Sequence, residues 1–251
     1  MQYAYVDGIK RLPEKDQNGI CIGCGQEVVS KCGNIMVHHW AHKRTKDCDT
    51  WSEPETEWHR KWKNQFPESY REITFKDPSS NEYHRADIHT KNGVTIEFQN
   101  SPISIDEFNQ RNSFYKKLIW VVNGLKFKDN FLLDRRIPNP EDPLLNGFEV
   151  NGMVYFKKED LLDKAGAKSG MIQAYGIHAP ELKGLELSDI HYAFLWIDKC
   201  KTWFEGSAQV FIDFNDDKLY WLRKRKQVLE PFWYIQLVKK EEFVKKYSSI
   251  Q

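Results

Sequence analysis

Two carboxylates and one amide decide what chemistry this sequence can do: Asp87 within Tyr83-His84-Arg85-Ala86-Asp87-Ile88-His89, and Glu97 and Gln99 within Val94-Thr95-Ile96-Glu97-Phe98-Gln99. Both stretches alternate apolar and polar residues, the period of a half-buried strand. Lys91-Asn92-Gly93 between them is a hairpin turn signal. A two-residue Asn-Gly loop would set Asp87 opposite Phe98 and leave Asp87 and Glu97 on opposite faces. A three-residue loop with Gly93 in the left-handed conformation sets Asp87 opposite Glu97, with Cβ atoms about 5 Å apart. Carboxylates that close repel one another, and a divalent cation that prefers oxygen ligands relieves them. Gln99, two residues beyond Glu97, shares its face. The competing reading is a surface hairpin whose carboxylates face water.

A second group of chemistry-bearing residues lies near the start. The five cysteines are Cys21, Cys24, Cys32, Cys48 and Cys200, and four fall in the first fifty residues. No secretory signal precedes them, so the clustering points to a metal site over a disulfide framework. Cys21-Ile22-Gly23-Cys24-Gly25 is a Cys-x2-Cys knuckle, with Gly23 and Gly25 permitting a tight backbone. His39, His42 and Cys48 compete to complete a tetrahedral zinc site. Residues three apart on a strand point to opposite sides, which favours His42 with Cys48 over His39 with His42 unless the strand has ended. Cys32, at the turn of an expected hairpin (Val28–Cys32 with Ile35–Val37), reads as a buried thiol. Four protein ligands leave no open coordination position, so the metal's expected role is structural. His38 or His39 as the base of a double-histidine nuclease lacks the rest of that motif.

The elements that must position these groups follow in order. Ser52-Glu53-Pro54-Glu55 reads as a helix start, with Ser52 at the N-cap and Glu55 completing a capping box. Trp58, Trp62 and Phe66 form its apolar stripe, and Glu55, His59 and Lys63 a second row beside it. After the hairpin, Ser104 caps a helix carrying Phe108, Arg111, Asn112 and Tyr115. Arg111 there is either a bidentate phosphate donor or a surface arginine paired with Glu107. Leu118–Val122 is a buried strand. Ile137–Pro143 has linker composition. Strands are expected at 192–196, 208–213, 218–221 and 232–238, with Trp196, Trp203 and Trp221 in the core and Arg223–Lys226 as a basic run.

At 251 residues with net charge +1, the chain is one large domain or a core with an appendage, and any nucleic-acid contact must come from local patches. It opens without a charged start followed by an apolar run, and no eighteen-residue apolar segment occurs; a cytoplasmic protein is expected.

Asp on one strand with Glu-x-Gln on the next resembles the PD-(D/E)xK nuclease site, with Gln99 in the place of lysine. The run from Arg85-Ala86-Asp87 to Ile96-Glu97-Phe98-Gln99, Ser101, Ile103 and Ser104 resembles the CoiA-like competence nucleases, where Glu-x-Gln is the expected form. That family's His-Phe-Ala-His segment is matched by His39-Trp40-Ala41-His42, which implies His39 and His42 as zinc ligands. Its Glu-Ser-x-x-His-x-x-x-Lys helix is matched by Glu55 to Lys63, with Thr56 for serine, which implies Glu55 and His59 in the site. Arg111-x3-Tyr115 resembles the Gln-x3-Tyr helix of RecB-type nucleases.

The resemblance covers roughly residues 20 to 122 and implies an α/β, restriction-endonuclease-like core, a mixed sheet flanked by helices. A zinc ribbon (1–50) would precede the core (51–130), and a β-rich region (131–251) would complete the sheet or select substrate. It implies hydrolysis of DNA phosphodiesters in DNA processing, recombination or defence against phage. Asp87 and Glu97 would hold Mg²⁺ or Mn²⁺, Glu55 or His59 would tune the site, and Gln99 would orient water or a phosphate oxygen. Lys63, Arg85, Ser101, Arg111 and Tyr115 would approach the nucleic acid. A non-catalytic DNA-binding accessory on a nuclease scaffold is the competing class, and a zinc-dependent interaction module the third.

Overall fold

The computed structural model describes residues 1–44, 48–162, 172–197, 199–228 and 230–249. The chain divides into two compact units: Met1–Asn123 with Lys201–Ala208 and Glu241–Gln251, and Gly124–Cys200 with Gln209–Lys240.

The first unit begins with a five-stranded antiparallel sheet. Its strands are β1 (Ala4–Val6), β2 (Ile9–Arg11), β3 (Asn18–Ile20), β4 (Glu27–Lys31) and β5 (His39–His42), in the order β2-β1-β3-β4-β5. Ala4, Cys21, Val28 and Trp40 form its small core. The knuckle closes through Cys21 N–H to the Gln26 carbonyl (2.8 Å) and Gly25 N–H to the Cys21 carbonyl (3.0 Å). Gly25 adopts φ +73°, and a Cβ on Gly23 would stand 2.8 Å from the Thr74 methyl group. The knuckle therefore needs glycine at both positions, once for backbone and once for room. The hairpin differs from expectation. Its return strand is His39–His42 rather than Ile35–Val37, and Ile35 is 99% exposed. Trp40 helps fix the pairing, because a one-residue slip from the register Ser30↔Trp40 would turn that buried indole to the other face.

Next come α1 (Glu57–Lys63), β6 (Arg71–Lys76), β7 (Tyr83–His89), β8 (Thr95–Gln99), α2 (Ile105–Tyr115) and β9 (Leu118–Asn123). Strands pair in the order β6-β7-β8-β9, antiparallel except for parallel β8 and β9. A parallel pair requires a crossover, and α2 supplies it. Glu97 and Trp120 are in register, so Phe98 points to the other face. Trp62 of α1 stacks on Phe98 (5.5 Å), and Phe108 of α2 stacks on Trp120 (5.6 Å). The helices thus cover opposite faces of a mixed sheet, the expected fold class.

The second unit is β-rich. It contains β10 (Phe131–Pro138), β11 (Phe148–Asn151), β12 (Val154–Lys157), α3 (Lys158–Leu162), β13 (Tyr175–Gly176), β14 (Leu187–Trp196), β15 (Gln209–Asp213), β16 (Lys218–Arg225) and β17 (Phe232–Lys239). Five strands pair antiparallel in the order β10-β14-β17-β16-β15, and β11-β12-β13 form a small sheet. The expected linker at 137–143 is instead packed structure. Ile137 is buried and ends β10 with Pro138, and the buried Arg225 guanidinium donates to the carbonyls of Pro140, Leu145 (2.7 Å) and Phe148 (3.2 Å). Arg225 thus braces this segment from within, while its neighbours in the basic run are more exposed. The C-terminal helix α4 (Lys240–Ser248) sets Phe243 edge-on to Trp62 at 6.2 Å. No helix among the described residues is long and apolar enough to cross a membrane.

Candidate active site and metal centre

Cys21, Cys24, His42 and Cys48 converge, with one ligand atom from each lying within 4.8 Å of all the others. Cys21 Sγ and Cys48 Sγ are 3.8 Å apart, and Cys24 Sγ and His42 Nε2 are 3.2 Å apart. Tetrahedral zinc with bonds of about 2.3 Å to sulfur separates two thiolates by about 3.8 Å, so the set fits zinc. The Cys48 thiol and the backbone groups of Cys24 and Gly23 draw Cys21 down to about 4 against the opposing effect of burial. His39 is not part of the cluster, and its Nδ1 lies 2.9 Å from the Val37 carbonyl. The reason is strand alternation: β5 runs unbroken through residues 39–42, so His39 and His42 project to opposite sides. Cys32 is half-buried with Sγ on the Pro13 carbonyl.

The hairpin of β7 and β8 turns through Lys91–Gly93, with Gly93 at φ +74° and closing bonds between Thr90 and Val94. Its pairs are His89↔Thr95 and Ile88↔Ile96, which puts Asp87 and Glu97 next in register. There the strands part. Asp87 Oδ2 accepts the Phe98 N–H (3.0 Å), and the side chain of Asp49 takes the Arg85 N–H (3.1 Å). A polar cavity of about 50 Å³ opens at the split, lined by Asp87, Glu97, Asp49, Glu53, Glu55, Lys63, Arg85 and Arg111 among others. That volume suits an ion with a water or two rather than a nucleotide. Burial and the Asp87 carboxylate push Glu97 well above the ordinary carboxylate range, with Arg111 opposing. Burial likewise raises Asp87, against Lys63 and His59. Glu97 Oε1 is buried with no hydrogen-bond partner among the described residues, while Oε2 faces Arg111 Nη1 at 3.2 Å. An orphaned carboxylate oxygen beside a second strained carboxylate is the donor set a hard divalent cation takes.

Cations from both flanking helices are tied down around this pair. Lys63 Nζ, 3% exposed, lies 2.7 Å from Glu55, 2.9 Å from Glu72 and 3.7 Å from Asp87. Glu72 sits in the left-handed region (φ 50°), its carboxylate receiving N–H groups from Gln2 and Tyr3. Arg111 is buried and bonds Glu97, Glu107 and the Trp51 carbonyl. The i,i+4 pairing with Glu107 holds, but the arginine is not on the surface. Lys63 and Arg111, expected to approach the nucleic acid, are both buried in ion pairs with carboxylates at the cavity.

Helix α1 starts later than expected. Thr56, not Ser52, is its N-cap, and His59, not Glu55, completes the capping box. Glu55 is drawn away by Arg60 (3.0 Å) and Lys63, so it serves the cleft and not the cap. His59 is buried with both ring nitrogens engaged: Nδ1 by Thr56 and Nε2 by Glu53 at 3.2 Å. Glu53 also accepts the Asn100 N–H (2.8 Å) and the Ser101 hydroxyl (2.6 Å). Burial alone would push Glu53 up, yet the hydrogen bonds from His59, Ser101 and Asn100 hold it below the usual range. Gln99 does not line the cavity, and its Nε2 donates to the Ser101 carbonyl at 3.0 Å. Tyr115 and Arg85 line it, Tyr115 buried and Arg85 half-buried.

A model of the N-terminal domain of the competence protein CoiA matches residues 6–50, and a model of the CoiA nuclease-like domain matches residues 55–159. The chain belongs to the CoiA-like competence protein family. A comparison with curated proteins finds no match, and neither does one with solved structures.

Within this CoiA-like chain, the first match spans Cys21, Cys24, His42 and Cys48, and the second spans Glu55 to Gln99 and Arg111. The CoiA nuclease-like domain therefore holds both the parted hairpin and the helices that ring it. Reading the sequence missed Asp49, Glu53 and Glu72. The first two lie in irregular backbone, where no periodicity marks them, although Asp49 directly follows a zinc-ligand candidate. Glu72 shares its period-2 set in β6 with Thr74 and Lys76, so alternation assigns it to the polar face and gives no sign of its burial.

Proposed function

We propose that this chain is a divalent-metal-dependent deoxyribonuclease in which Asp87 and Glu97 hold Mg²⁺ or Mn²⁺ and the Cys21, Cys24, His42 and Cys48 set holds structural zinc. The observation that carries the reading is Glu97: a carboxylate raised by burial and by Asp87, with one oxygen unpartnered among the described residues in a polar cavity. A bound divalent ion would contribute activation of water and neutralisation of charge on the phosphate. The protein's own side chains do the rest. Arg111 orients Glu97 through Oε2 and leaves Oε1 directed at the cavity. Phe98 N–H fixes Asp87 through Oδ2, and Lys63 limits the repulsion between Asp87 and its neighbours. His59, locked by Thr56 and Glu53, positions α1 and is not free to act as a base. Gln99, which has no titratable proton and donates to the Ser101 carbonyl, supports the end of β8.

A second reading, a DNA-binding accessory on a nuclease scaffold, is favoured by Gln99, which stands in the place of the lysine yet donates to the Ser101 carbonyl and does not line the cavity. The test is cleavage of end-labelled linear, single-stranded and branched DNA with Mg²⁺, Mn²⁺ or EDTA, with Asp87→Ala and Glu97→Ala beside the wild type. Metal-dependent cleavage lost in both variants supports the nuclease. Binding without cleavage, unchanged in the variants, supports the accessory.

A further inference from the structure

The segment from Cys48 to Glu53 has no helix or strand, yet Asp49, Trp51 and Glu53 each grip a different part of the cleft. Asp49, 5% exposed, accepts the Arg85 N–H of β7 through Oδ2 and the Trp51 N–H through Oδ1, both at 3.1 Å. The Trp51 indole stacks on His84 of β7 at 3.4 Å and 11°, and meets Phe114 edge-on at 5.5 Å. The Trp51 carbonyl receives Arg111, whose guanidinium also lies 5.6 Å from the indole ring. Glu53 joins α1, through His59, to the end of β8, through Asn100 and Ser101. One end of this strap is Cys48, whose Sγ belongs to the Cys3His cluster.

We infer that Cys48 couples the two metal centres: zinc in the ribbon fixes the strap, and Asp49, Trp51 and Glu53 are positioning residues that hold Arg111 and the parted β7 and β8 in place. The inference rests on the nuclease reading for the purpose of the cleft, but not for the coupling itself. An irregular segment has no ladder of its own, so its order depends on its anchors. The Arg85 amide is the clearest reporter. It lies where the β7–β8 pairing has ended, and its partner is the side chain of Asp49.

The experiment uses the full chain and reads amide hydrogen exchange at Trp51, Arg85 and Trp120, together with zinc content and DNA cleavage. Removing zinc from the wild type is expected to speed exchange at Trp51 and Arg85 at least tenfold. Trp120, inside β9, keeps its protection, and zinc restored to one per chain reverses the change. Trp51→Ala is expected to keep its zinc yet lose Arg85 protection by a similar factor and cleavage about tenfold. Cys48→His, which retains a metal ligand, should keep protection where Cys48→Ser loses it. Unchanged exchange at Arg85 and Trp51 in zinc-free protein overturns the inference. Should zinc removal also expose Trp120, zinc-loaded Trp51→Ala decides: a fully protected Arg85 amide overturns it, and a deprotected one supports it. A wild type that cleaves nothing removes the nuclease reading, and the exchange results still decide the coupling.

Discussion

Lys63→Met removes the buried ammonium that bridges Glu55 and Glu72, and its cost can be worked from the site. The ammonium is 3% exposed and sits 2.7, 2.9 and 3.7 Å from Glu55, Glu72 and Asp87. Removing one partner of a buried ion pair leaves uncompensated charge and costs about 3–5 kcal/mol. Here two carboxylates lose their principal counter-ion, so the upper part of that range is expected. For a chain of this size each kcal/mol moves Tm by about 2–4 °C, so a cost of about 4–5 kcal/mol gives a fall on the order of 8–20 °C. The effect has a pH signature. Burial opposes it, but Lys63 holds both Glu55 and Glu72 below the usual carboxylate range. Their stabilisation is therefore complete above about pH 4.3, the unfolded value, and is lost as pH falls through the lowered folded values. In Lys63→Met the same carboxylates are raised, and protons neutralise them early. The difference between variant and wild type should be widest at pH 8 and shrink by pH 4. Urea unfolding at both pH values measures it. A loss below about 1 kcal/mol at pH 8, or the same loss at pH 4, would refute the reasoning.

Other outcomes follow from the same geometry. Glu97 is held far above its ordinary range, so metal-free protein loses stability as pH rises from about 4.3 through its folded value. Glu97→Gln should then be more stable than metal-free wild type at pH 8 by on the order of 1–2 kcal/mol, equal to it at pH 4, and inactive in cleavage. Gln99→Ala, which loses a bond to Ser101, should cost about tenfold in cleavage where Asp87→Ala abolishes it. Equal losses would mean that Gln99 works at the cavity. Metal analysis should find one zinc per chain in wild type, Cys32→Ser and His39→Ala, and none in Cys21→Ser. Zinc retained in Cys21→Ser or lost in His39→Ala would break the ligand assignment.

How far the sequence could be read depended on whether a residue's role was local or tertiary. The hairpin was legible because Asn92-Gly93 limits the turn and alternation carries the register outward from it. The ligand set was legible in part. Strand alternation separated His39 from His42 and left Cys48 as the partner, while the family's His-Phe-Ala-His pattern pointed to His39. Geometry favoured alternation, because β5 runs on through His42. The strands of the second unit were visible as aromatic and β-branched runs, but Ile137–Pro143 looked like a linker. Its prolines could not reveal that Arg225, 85 residues on, would donate to the Pro140 carbonyl. The start of α1 failed for a related reason. Ser52, Pro54 and Glu55 carry good local helix-start signals, yet Glu53 and Glu55 find stronger partners in Ser101, Asn100, Lys63 and Arg60. Tertiary ion pairs outcompeted a cap worth about 1 kcal/mol. Charge and spacing mark Lys63 and Arg111 as candidates for phosphate contact and Arg111 as a partner of Glu107, but carry no sign of the burial of either.

The central claim is that Asp87 and Glu97 hold a divalent cation. Mn²⁺ titration of zinc-loaded protein, followed by electron paramagnetic resonance, tests it most directly. One bound Mn²⁺ per chain, lost in both Asp87→Asn and Glu97→Gln while zinc remains, is the predicted result. Mn²⁺ that binds equally to wild type and both variants, or to none of them, would contradict it.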